Sequence, residues 1–324
     1  MAPRIFITGA SGYVGGQFIS NMLGKHPEYQ IIGLVRTKEQ GEKLTSKYPS
    51  VQLAIGDLDS SEVLVEQSKL ADVVIQAADC DHLNAITFIM QGLSSGQKHG
   101  FFIQLSGAAS VLDISNGVGQ PSTKVWDDLV DLDDILGFDE TRMHSTSDKL
   151  VFSEGKKHGV RTAIVAPPMI YGKGEGIKEW SMGLPWLAEL FKKRGKGFKL
   201  GKGKTLVSHI HVRDIADVLV YFAEQALGAD GGRVEWGERG FYYAEAGENT
   251  YLDIVAAIAR EMAGKGMIET AELDELTSEE ANRLHVWATA MWGSNMRIRA
   301  SRLRGLEWVP KQPGAIETVF EMLE

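Results

Sequence analysis

Short apolar runs alternate with amphipathic stretches over the first two thirds of the chain. Between the first two runs, Val14, Phe18 and Met22 recur at helical spacing, which predicts a helix from about Tyr13 to Gly24. Apolar strands separated by such helices are typical of a parallel sheet that is covered on both faces. The pattern therefore predicts an α/β fold with a doubly wound parallel sheet, whose strands are Arg4–Thr8, Gln30–Val35, Val51–Ile55, Asp72–Ala77, Phe101–Ser106 and Arg161–Ala166.

The composition of the sequence changes after Pro167 and Pro168, where Trp and Met become frequent and the alternation of apolar runs with amphipathic stretches weakens. We therefore expect a first domain over residues 1–166, to which residues 205–230 return, and a smaller α/β C-terminal lobe over most of residues 167–324. In that lobe a shared apolar face predicts a helix from about Thr250 to Ala263, with Gly264 as its left-handed cap.

Charge and cysteine content narrow the class of protein. The 324 residues carry a formal net charge of -9, which argues against a general partner among nucleic acids or membrane surfaces, since both are anionic. Cys80 is the single cysteine, so no internal disulfide can form. Neither a signal peptide nor an apolar run long enough to span a membrane is visible. We expect a soluble cytoplasmic protein.

A glycine-rich turn, Thr8–Gly16, follows the first strand and opens the first helix. Glycines let the backbone bend sharply and let a diphosphate approach the N–H groups at the helix N-terminus. The flanking strand, helix and second strand are those of a dinucleotide-binding Rossmann unit, although a tight structural turn is the alternative. The residues expected to meet the cofactor here are Gly9, Ser11, Gly12, Tyr13, Val14 and Gly15.

The end of the second strand bears on the choice between NAD and NADP. A carboxylate about 20 residues after the glycines binds the adenosine ribose of NAD, whereas an arginine suits the extra phosphate of NADP. The chain has Arg36 there, followed by Lys38. We therefore expect NADP(H) as the preferred cofactor, with NAD(H) as the second choice and an exposed, ligand-free arginine as the alternative.

Further motifs follow in a fixed order along nearly the whole chain. They are Gly56–Leu58, Ala77–Ala78, the Pro-x-x-x-Tyr-Gly segment Pro167–Gly172, the His-Val-x-Asp segment His211–Asp214, and the tail Met296–Pro310. Together with the glycine turn, they resemble the extended short-chain dehydrogenase/reductases, the NAD-dependent epimerase/dehydratase-like superfamily. The arginine that usually precedes the Pro-x-x-x-Tyr-Gly segment is Ala166 here.

The resemblance implies roles for several of these residues. Asp57 and Leu58 would lie at the adenine, and Ala77 and Ala78 beside the cofactor after the fourth strand. Pro167 and Met169 would lie near the nicotinamide. The resemblance also implies a homodimer as a possible assembly and a small molecule as substrate, and we interpret His211–Asp214 as structural.

The catalytic pattern of that family is only partly present. The resemblance implies a Tyr-x-x-x-Lys pair on the helix after the fifth strand, in which the lysine binds the nicotinamide ribose and lowers the tyrosine pKa. Lys149 aligns with the lysine, but Ser145 stands one helical turn earlier, at the tyrosine position. The serine or threonine expected after the fifth strand aligns with Gly107, near Ser106 and Ser110. The usual proton donor is therefore missing.

Several residues are candidates to replace that donor. His144 titrates near neutrality but points about 100 degrees away from Ser145 on a helix. Ser145 itself could relay a proton through water, and Tyr171 is near the nicotinamide by family analogy. The cluster Asp79–His82 could face the substrate, although a solvated loop is the alternative. Asp148 beside Lys149 is interpreted as a counter-charge to the lysine.

No metal site is predicted. His209 and His211 alternate on an apparent strand, so both lie on one face, but no third ligand is visible near them.

The C-terminal lobe is expected to bind the substrate. Trp180, Trp186, Trp287 and Trp292 are candidates to wall an apolar pocket, or else to fill the core. The basic residues between Lys192 and Lys204 are candidates to meet an anionic substrate such as a sugar diphosphate, with a flexible solvated loop as the alternative.

Three functions are compatible with this set of residues. The first is an NADP(H)-dependent oxidoreductase or epimerase-like enzyme acting on a small carbonyl or hydroxyl compound through a remodelled proton path. The second is a non-catalytic NADPH-binding redox sensor. This function is compatible with a chain that retains the cofactor-binding residues but lacks the catalytic tyrosine. The third is an isomerase or lyase that uses transient oxidation.

Overall fold

A computed structural model describes residues 2–96 and 100–323 of the chain. Fourteen strands and twelve α-helices are formed within these ranges. The strands are β1 Arg4–Thr8, β2 Gln30–Val35, β3 Gln52–Ile55, β4 Val73–Gln76, β5 Phe101–Leu105, β6 Trp126–Asp127, β7 Arg161–Ala166, β8 Met169–Tyr171, β9 Lys196–Leu200, β10 Leu206–His211, β11 Phe241–Tyr243, β12 Gly247–Thr250, β13 Thr270–Leu276 and β14 Ile298–Arg299. The helices are α1 Tyr13–Lys25, α2 Lys38–Lys47, α3 Ser61–Leu70, α4 Leu83–Ser95, α5 Leu132–Leu136, α6 Ser145–His158, α7 Gly183–Arg194, α8 Val212–Leu227, α9 Tyr251–Gly264, α10 Ser278–Leu284, α11 Ala288–Trp292 and α12 Ser301–Gly305.

The large sheet has seven strands in the order β3-β2-β1-β4-β5-β7-β11, and every pairing in it is parallel. Strands β2 and β3 are added in order on one side of β1, and β4 pairs with the other side of β1. The strand order therefore reverses between β1 and β4, where open α/β sheets bind ligands at the carboxyl ends of their strands. This arrangement confirms the predicted Rossmann-type α/β fold.

Helices cover both faces of this sheet, as the apolar character of the strands predicts. In one layer α1 packs beside α8, and in the other α3, α4 and α6 pack side by side. Large apolar side chains such as Phe6, Phe102 and Phe222 are fully buried in the resulting core. None of the described helices combines the length and the apolar character needed to cross a bilayer.

A second core lies under the C-terminal lobe, around Phe191, Phe198 and Trp292. It is covered by the three-stranded sheet β12-β10-β8 and by the parallel pair β13-β9. Part of the range predicted for this lobe belongs to the large sheet instead, because β11 extends that sheet beside β7 and α12 packs on β11. Within the predicted return over residues 205–230, α8 packs on α1, while β10 stays in the three-stranded sheet.

The predicted cap of α9 was wrong by two residues. Gly264 ends the helix without a left-handed backbone, whereas Gly266 has a φ of 68°. The N–H of Met267 donates to the carbonyl of Met262 at 2.8 Å, a bond that spans five residues. This is the Schellman pattern, which needs the left-handed glycine just beyond the last helical turn.

The crossing of α3 and α4 yields a stability prediction. A Cβ on Gly92 would lie 2.5 Å from the carbonyl oxygen of Val65, so Gly92→Ala should lower the free energy of unfolding by about 1–3 kcal/mol. Gly24→Ala is the matched control, because Gly24 also lies in a helix but has no atom within 4 Å of its Cβ position. That change should raise the free energy of unfolding by about 0.5–1 kcal/mol. Urea unfolding measures both, and equal changes would contradict the packing argument.

Candidate functional site

The glycine turn at the end of β1 is tightly closed by its own backbone. Gly9 has a φ of 73°, and a Cβ on it would lie 2.4 Å from the carbonyl oxygen of Ala77. A Cβ on Gly15 would lie 2.2 Å from the carbonyl oxygen of Gly9. Gly12 precedes α1 without any side-chain cap, so the first N–H groups of this helix are available to a ligand. The turn therefore fits a diphosphate resting on main-chain amides.

The remaining predicted residues for the adenosine half lie at the same edge of the sheet. Ser11 and Val14 belong to the turn and to the first turn of α1. Arg36 is exposed directly after β2, and Asp57 and Leu58 follow β3. The carboxylate of Asp57 accepts hydrogen bonds from the Ser60 hydroxyl at 2.8 Å and from the Asp59 N–H at 3.1 Å.

A cavity of about 590 Å³ continues from this edge into the C-terminal lobe. Its lining includes Tyr13, Gly107, Pro167 and Met169. The cavity therefore extends from the glycine turn to the ends of β5 and β7. The Tyr13 hydroxyl donates to the carbonyl oxygen of Gly172, which ties α1 to the segment after β8. The cavity thus begins at residues predicted for the nicotinamide half of the cofactor.

His144 lies at this end of the sheet and is held by a carboxylate. Its Nδ1 is 2.9 Å from Oδ2 of Asp81, a residue of the segment between β4 and α4. The other oxygen of Asp81 accepts from the Ser147 hydroxyl at 2.7 Å. Because a carboxylate can only accept, the proton of a neutral imidazole lies on Nδ1, and Nε2 is left for another partner. His144 also has a φ of 66°, a conformation that is uncommon outside glycine.

Gly107 explains how the imidazole reaches its position. A Cβ on Gly107 would lie 3.0 Å from Nε2 and 3.3 Å from Cδ2 of His144. The ring therefore occupies the space that a serine or threonine side chain at position 107 would need. The absence of a side chain at Gly107 therefore leaves room for the imidazole of His144.

Asp148 lies in the first turn of α6, and its N–H donates to the carbonyl oxygen of His144 at 2.9 Å. Its carboxyl is buried beside Ser106 and Gln104, and its Oδ1 has no hydrogen-bond partner within the described part of the chain. Burial raises the pKa of this carboxyl to about 7, and the nearby charge of Asp81 acts in the same direction. Lys149 is not among the groups that act on this carboxyl, so the interpretation of Asp148 as a counter-charge to Lys149 is not supported.

Lys149 and Ser145 are not brought to the cavity. Lys149 lines a surface depression beside Leu136 and Phe152. The Ser145 hydroxyl is buried and donates to the carbonyl oxygen of Phe138 at 2.7 Å. The residues of this region that lie close to Asp81 are instead His144 and Asp148.

Cys80 approaches the same imidazole, with its Sγ 3.4 Å from His144 Nδ1. Potential ligand atoms of Cys80, Asp81 and His144 all lie within 4.8 Å of one another. Burial, followed by the charges of Asp81 and Asp148, raises the pKa of the Cys80 thiol, which disfavours the thiolate that binds metals. Three ligands with a protonated thiol give no basis for assigning a metal.

His209 and His211 have structural contacts instead. Both rings pack edge-on against Tyr171, at centroid distances of 5.2 and 5.3 Å. His209 Nε2 is 2.7 Å from Asn249 Oδ1, and His211 Nδ1 accepts from the N–H of Arg213 at the start of α8. Tyr171 itself is buried, and its hydroxyl donates to the carbonyl oxygen of Pro313 at 2.7 Å.

The basic stretch between Lys192 and Lys204 is not a flexible loop. It forms the end of α7 and the strand β9, and β9 pairs with the acidic strand β13. Lys196 lies 2.8 Å from Asp274, and Lys199 lies 2.9 Å from Glu275. Of the four tryptophans considered, Trp186 and Trp287 line the cavity, whereas Trp292 fills the second core.

Comparison with known proteins agrees with the geometry. Residues 4–116 match the model of the semialdehyde dehydrogenase NAD-binding domain, and residues 142–236 match the NAD-dependent epimerase/dehydratase family. The protein named oxidase ucsJ, from Acremonium sp, is 30% identical over 98% of this chain and 95% of its own length. An uncharacterized protein of Saccharomyces cerevisiae is 23% identical over 98% of this chain and 97% of its own length.

Solved structures share the fold at low sequence identity. The dTDP-glucose 4,6-dehydratase of Bacillus anthracis in complex with NAD is 17% identical with a TM-score of 0.66, covering 98% of this chain and 96% of its own. Vestitone reductase from alfalfa is 16% identical with a TM-score of 0.63 over the same shares. The chain belongs to the extended short-chain dehydrogenase/reductases of the NAD-dependent epimerase/dehydratase-like superfamily. Its fold is that of an NAD(P)-dependent oxidoreductase or epimerase, for which the cofactor is a nicotinamide dinucleotide.

Asp148 yields a prediction about pH and stability. Its pKa is raised to about 7 in the folded chain, so the folded state keeps a proton that the unfolded state releases near pH 4. Between about pH 4 and 7 this group should therefore lower the free energy of unfolding by about 1.4 kcal/mol per pH unit as the pH rises. Asp148→Asn removes this loss, so the variant should gain stability over the native protein from pH 5 to pH 7.

Urea unfolding at several pH values measures this difference, with Asp134→Asn as a control at an exposed carboxyl group. Parallel stability curves for the native protein and Asp148→Asn would show that Asp148 is ionised throughout.

Proposed function

We propose that the protein is an NADP(H)-dependent oxidoreductase of a small carbonyl or hydroxyl compound, in which His144 replaces the usual tyrosine as proton donor and acceptor. The observation that carries this proposal is the 2.9 Å contact between His144 Nδ1 and Asp81 Oδ2, with Nε2 beside Gly107 at the cavity wall. When bound, the dinucleotide supplies the hydride exchange. The chain's own residues supply the proton and the positions of the reactants.

In this proposal Asp81 is a positioning residue. Its carboxylate holds the imidazole through Nδ1, and the Ser147 hydroxyl holds the carboxylate. Protonated His144 donates from Nε2 to the substrate oxygen during reduction and takes the proton back during oxidation. The adjacent negative charge stabilises the imidazolium form, which is the role that a carboxylate has beside a catalytic histidine.

The cofactor would be held along the carboxyl edge of the sheet. The turn from Gly9 to Gly15 would hold the diphosphate, and Arg36 with Lys38 the phosphate that distinguishes NADP. Asp57 and Leu58 would lie at the adenine, Ala77 and Ala78 beside the turn, and Pro167 and Met169 at the nicotinamide end. The exposure of Lys149 does not support a ribose contact, so that role remains a prediction from the family resemblance.

The oxidoreductase is favoured over a redox sensor by a specific feature of the site. A sensor needs only a cofactor-binding site, whereas this chain also has a left-handed histidine whose imidazole packs beside Gly107, a residue of the cavity lining. Strained backbone of this kind persists where the surroundings enforce it, commonly at functional sites. We propose a cytoplasmic location, with which the single free cysteine, Cys80, is compatible.

His144→Gln tests the proposed proton donor. Loss of a positioned acid should lower kcat by about 100-fold or more, with the Kd for NADPH essentially unchanged. Asp81→Asn should lower kcat less and should shift the pH profile, because the imidazolium loses its counter-charge. The measurement is NADPH absorbance across a panel of aldehydes and ketones, with calorimetry for the Kd.

His158→Gln is the matched control, since His158 lies on the same helix and contacts Ser94 and Glu154 away from the cavity. Full activity in His144→Gln would contradict the assignment of the proton donor. Absence of turnover in the native protein, with NADPH bound, would favour the redox sensor.

Arg36→Ala tests the preference for NADP. A charge-assisted contact to the extra phosphate should be lost, so the Kd for NADPH should rise about tenfold or more while the Kd for NADH stays nearly constant. Lys43→Ala, on the exposed surface of α2, is the control because Lys43 pairs with Glu39. Equal weakening of both cofactors would refute the preference.

A further inference from the structure

The cavity beside the Asp81–His144 pair has an apolar wall on both sides. The large sheet contributes backbone and small side chains around Gly107 and Pro167, and the C-terminal lobe contributes Trp186, Trp287 and Met291. A volume of about 590 Å³ lies within the range of sites for small organic molecules. The thioethers of Met182 and Met291 can adapt to irregular apolar shapes.

Large apolar side chains at the rim of this cavity are exposed. Trp287 is 56% exposed and Met182 is 52% exposed, although side chains of this size are mostly buried elsewhere in the described chain. Trp186 is 38% exposed and rests against His285 at a ring distance of 5.0 Å. A concave apolar patch of this kind marks a binding site for an apolar partner.

Charged groups are nearly absent from the cavity. Within the part of the chain that the structure describes, Lys178 is the only charged residue in its lining. The basic residues of β9 are neutralised by Asp274 and Glu275 of β13. A diphosphate would therefore bring two negative charges against tryptophan and methionine with a single exposed cation to offset them, which is costly.

We infer that the cavity binds an uncharged, largely apolar ring compound whose carbonyl or hydroxyl group lies at the Gly107 end, rather than a nucleoside diphosphate sugar. This inference rests on the proposed oxidoreductase function. The apolar body of the substrate contacts Trp186, Trp287 and the methionines, and its oxygen lies beside His144. Reduction adds a hydride from the cofactor to the carbonyl carbon and a proton from His144 to the oxygen, and oxidation reverses both transfers.

Calorimetry with NADP⁺-saturated protein tests the inference without requiring turnover. The probes are 2-acetylnaphthalene as an apolar ketone, DL-glyceraldehyde as a polar carbonyl, and UDP-glucose. We expect binding of 2-acetylnaphthalene at micromolar to submillimolar concentrations and no measurable binding of the other two. Trp287→Ala should weaken the apolar probe about tenfold, by loss of aromatic contact area.

Val130→Ala is the control, because Val130 is 80% exposed but does not line the cavity. Unchanged affinity for NADPH shows that the Trp287→Ala protein is folded. Tight binding of UDP-glucose that is lost in Lys178→Ala would overturn the inference, and so would an effect of Trp287→Ala no larger than that of Val130→Ala.

The two proposals fail separately. Binding of 2-acetylnaphthalene that depends on Trp287, without oxidation of NADPH by any carbonyl compound, supports the apolar site and contradicts the oxidoreductase. Turnover of a polar carbonyl compound that depends on His144, without binding of the apolar probe, supports the oxidoreductase and contradicts the apolar site.

Discussion

The fold and the candidate site both depend on the close approach of main-chain segments at the end of β1. No side chain fits at Gly9 or at Gly15, because a Cβ at either position would lie within 2.4 Å of a carbonyl oxygen. The resulting turn starts α1 directly above the point where the strand order reverses. The unpaired amides of α1 therefore face the crevice that the parallel sheet opens at its carboxyl edge. The residues after β2 and β3 lie on one side of this point, and those after β5 and β7 lie on the other.

The large sheet could be predicted because its strands are uniformly apolar and its crossovers are regular. The predicted strands Arg4–Thr8, Gln30–Val35 and Arg161–Ala166 match the structure to the residue. The C-terminal lobe could not be predicted in the same way. Its strands do not alternate regularly with helices. β11, which lies in the same part of the sequence but extends the large sheet, has only three residues, so neither its presence nor its pairing with β7 is visible in any local pattern.

The placement of His144 beside Asp81 could not be found by counting along α6 from Lys149. The helix begins after a left-handed His144, so the face that meets the sheet edge depends on this backbone conformation rather than on helical spacing alone. The partner of His144, Asp81, is 63 residues away in the sequence, and the space for the ring depends on Gly107. The cluster Asp79–His82 and the unexpected glycine were both visible in the sequence, but their contact with His144 is a property of the fold.

The arrangement of charged groups around His144 is compatible with a neighbouring apolar cavity. Burial penalises an imidazolium, and the carboxylate of Asp81, which is partly exposed and retains contact with water, offsets that penalty. Asp148 lies deeper, and its raised pKa makes it less negatively charged near neutral pH than an ordinary carboxylate. An apolar molecule in the cavity would exclude water from the Nε2 side of the ring. The attraction between Asp81 and the imidazolium would then strengthen, because the local dielectric constant falls. The same exclusion of water would raise the desolvation cost of the imidazolium, and transfer of its proton to the substrate oxygen would relieve that cost.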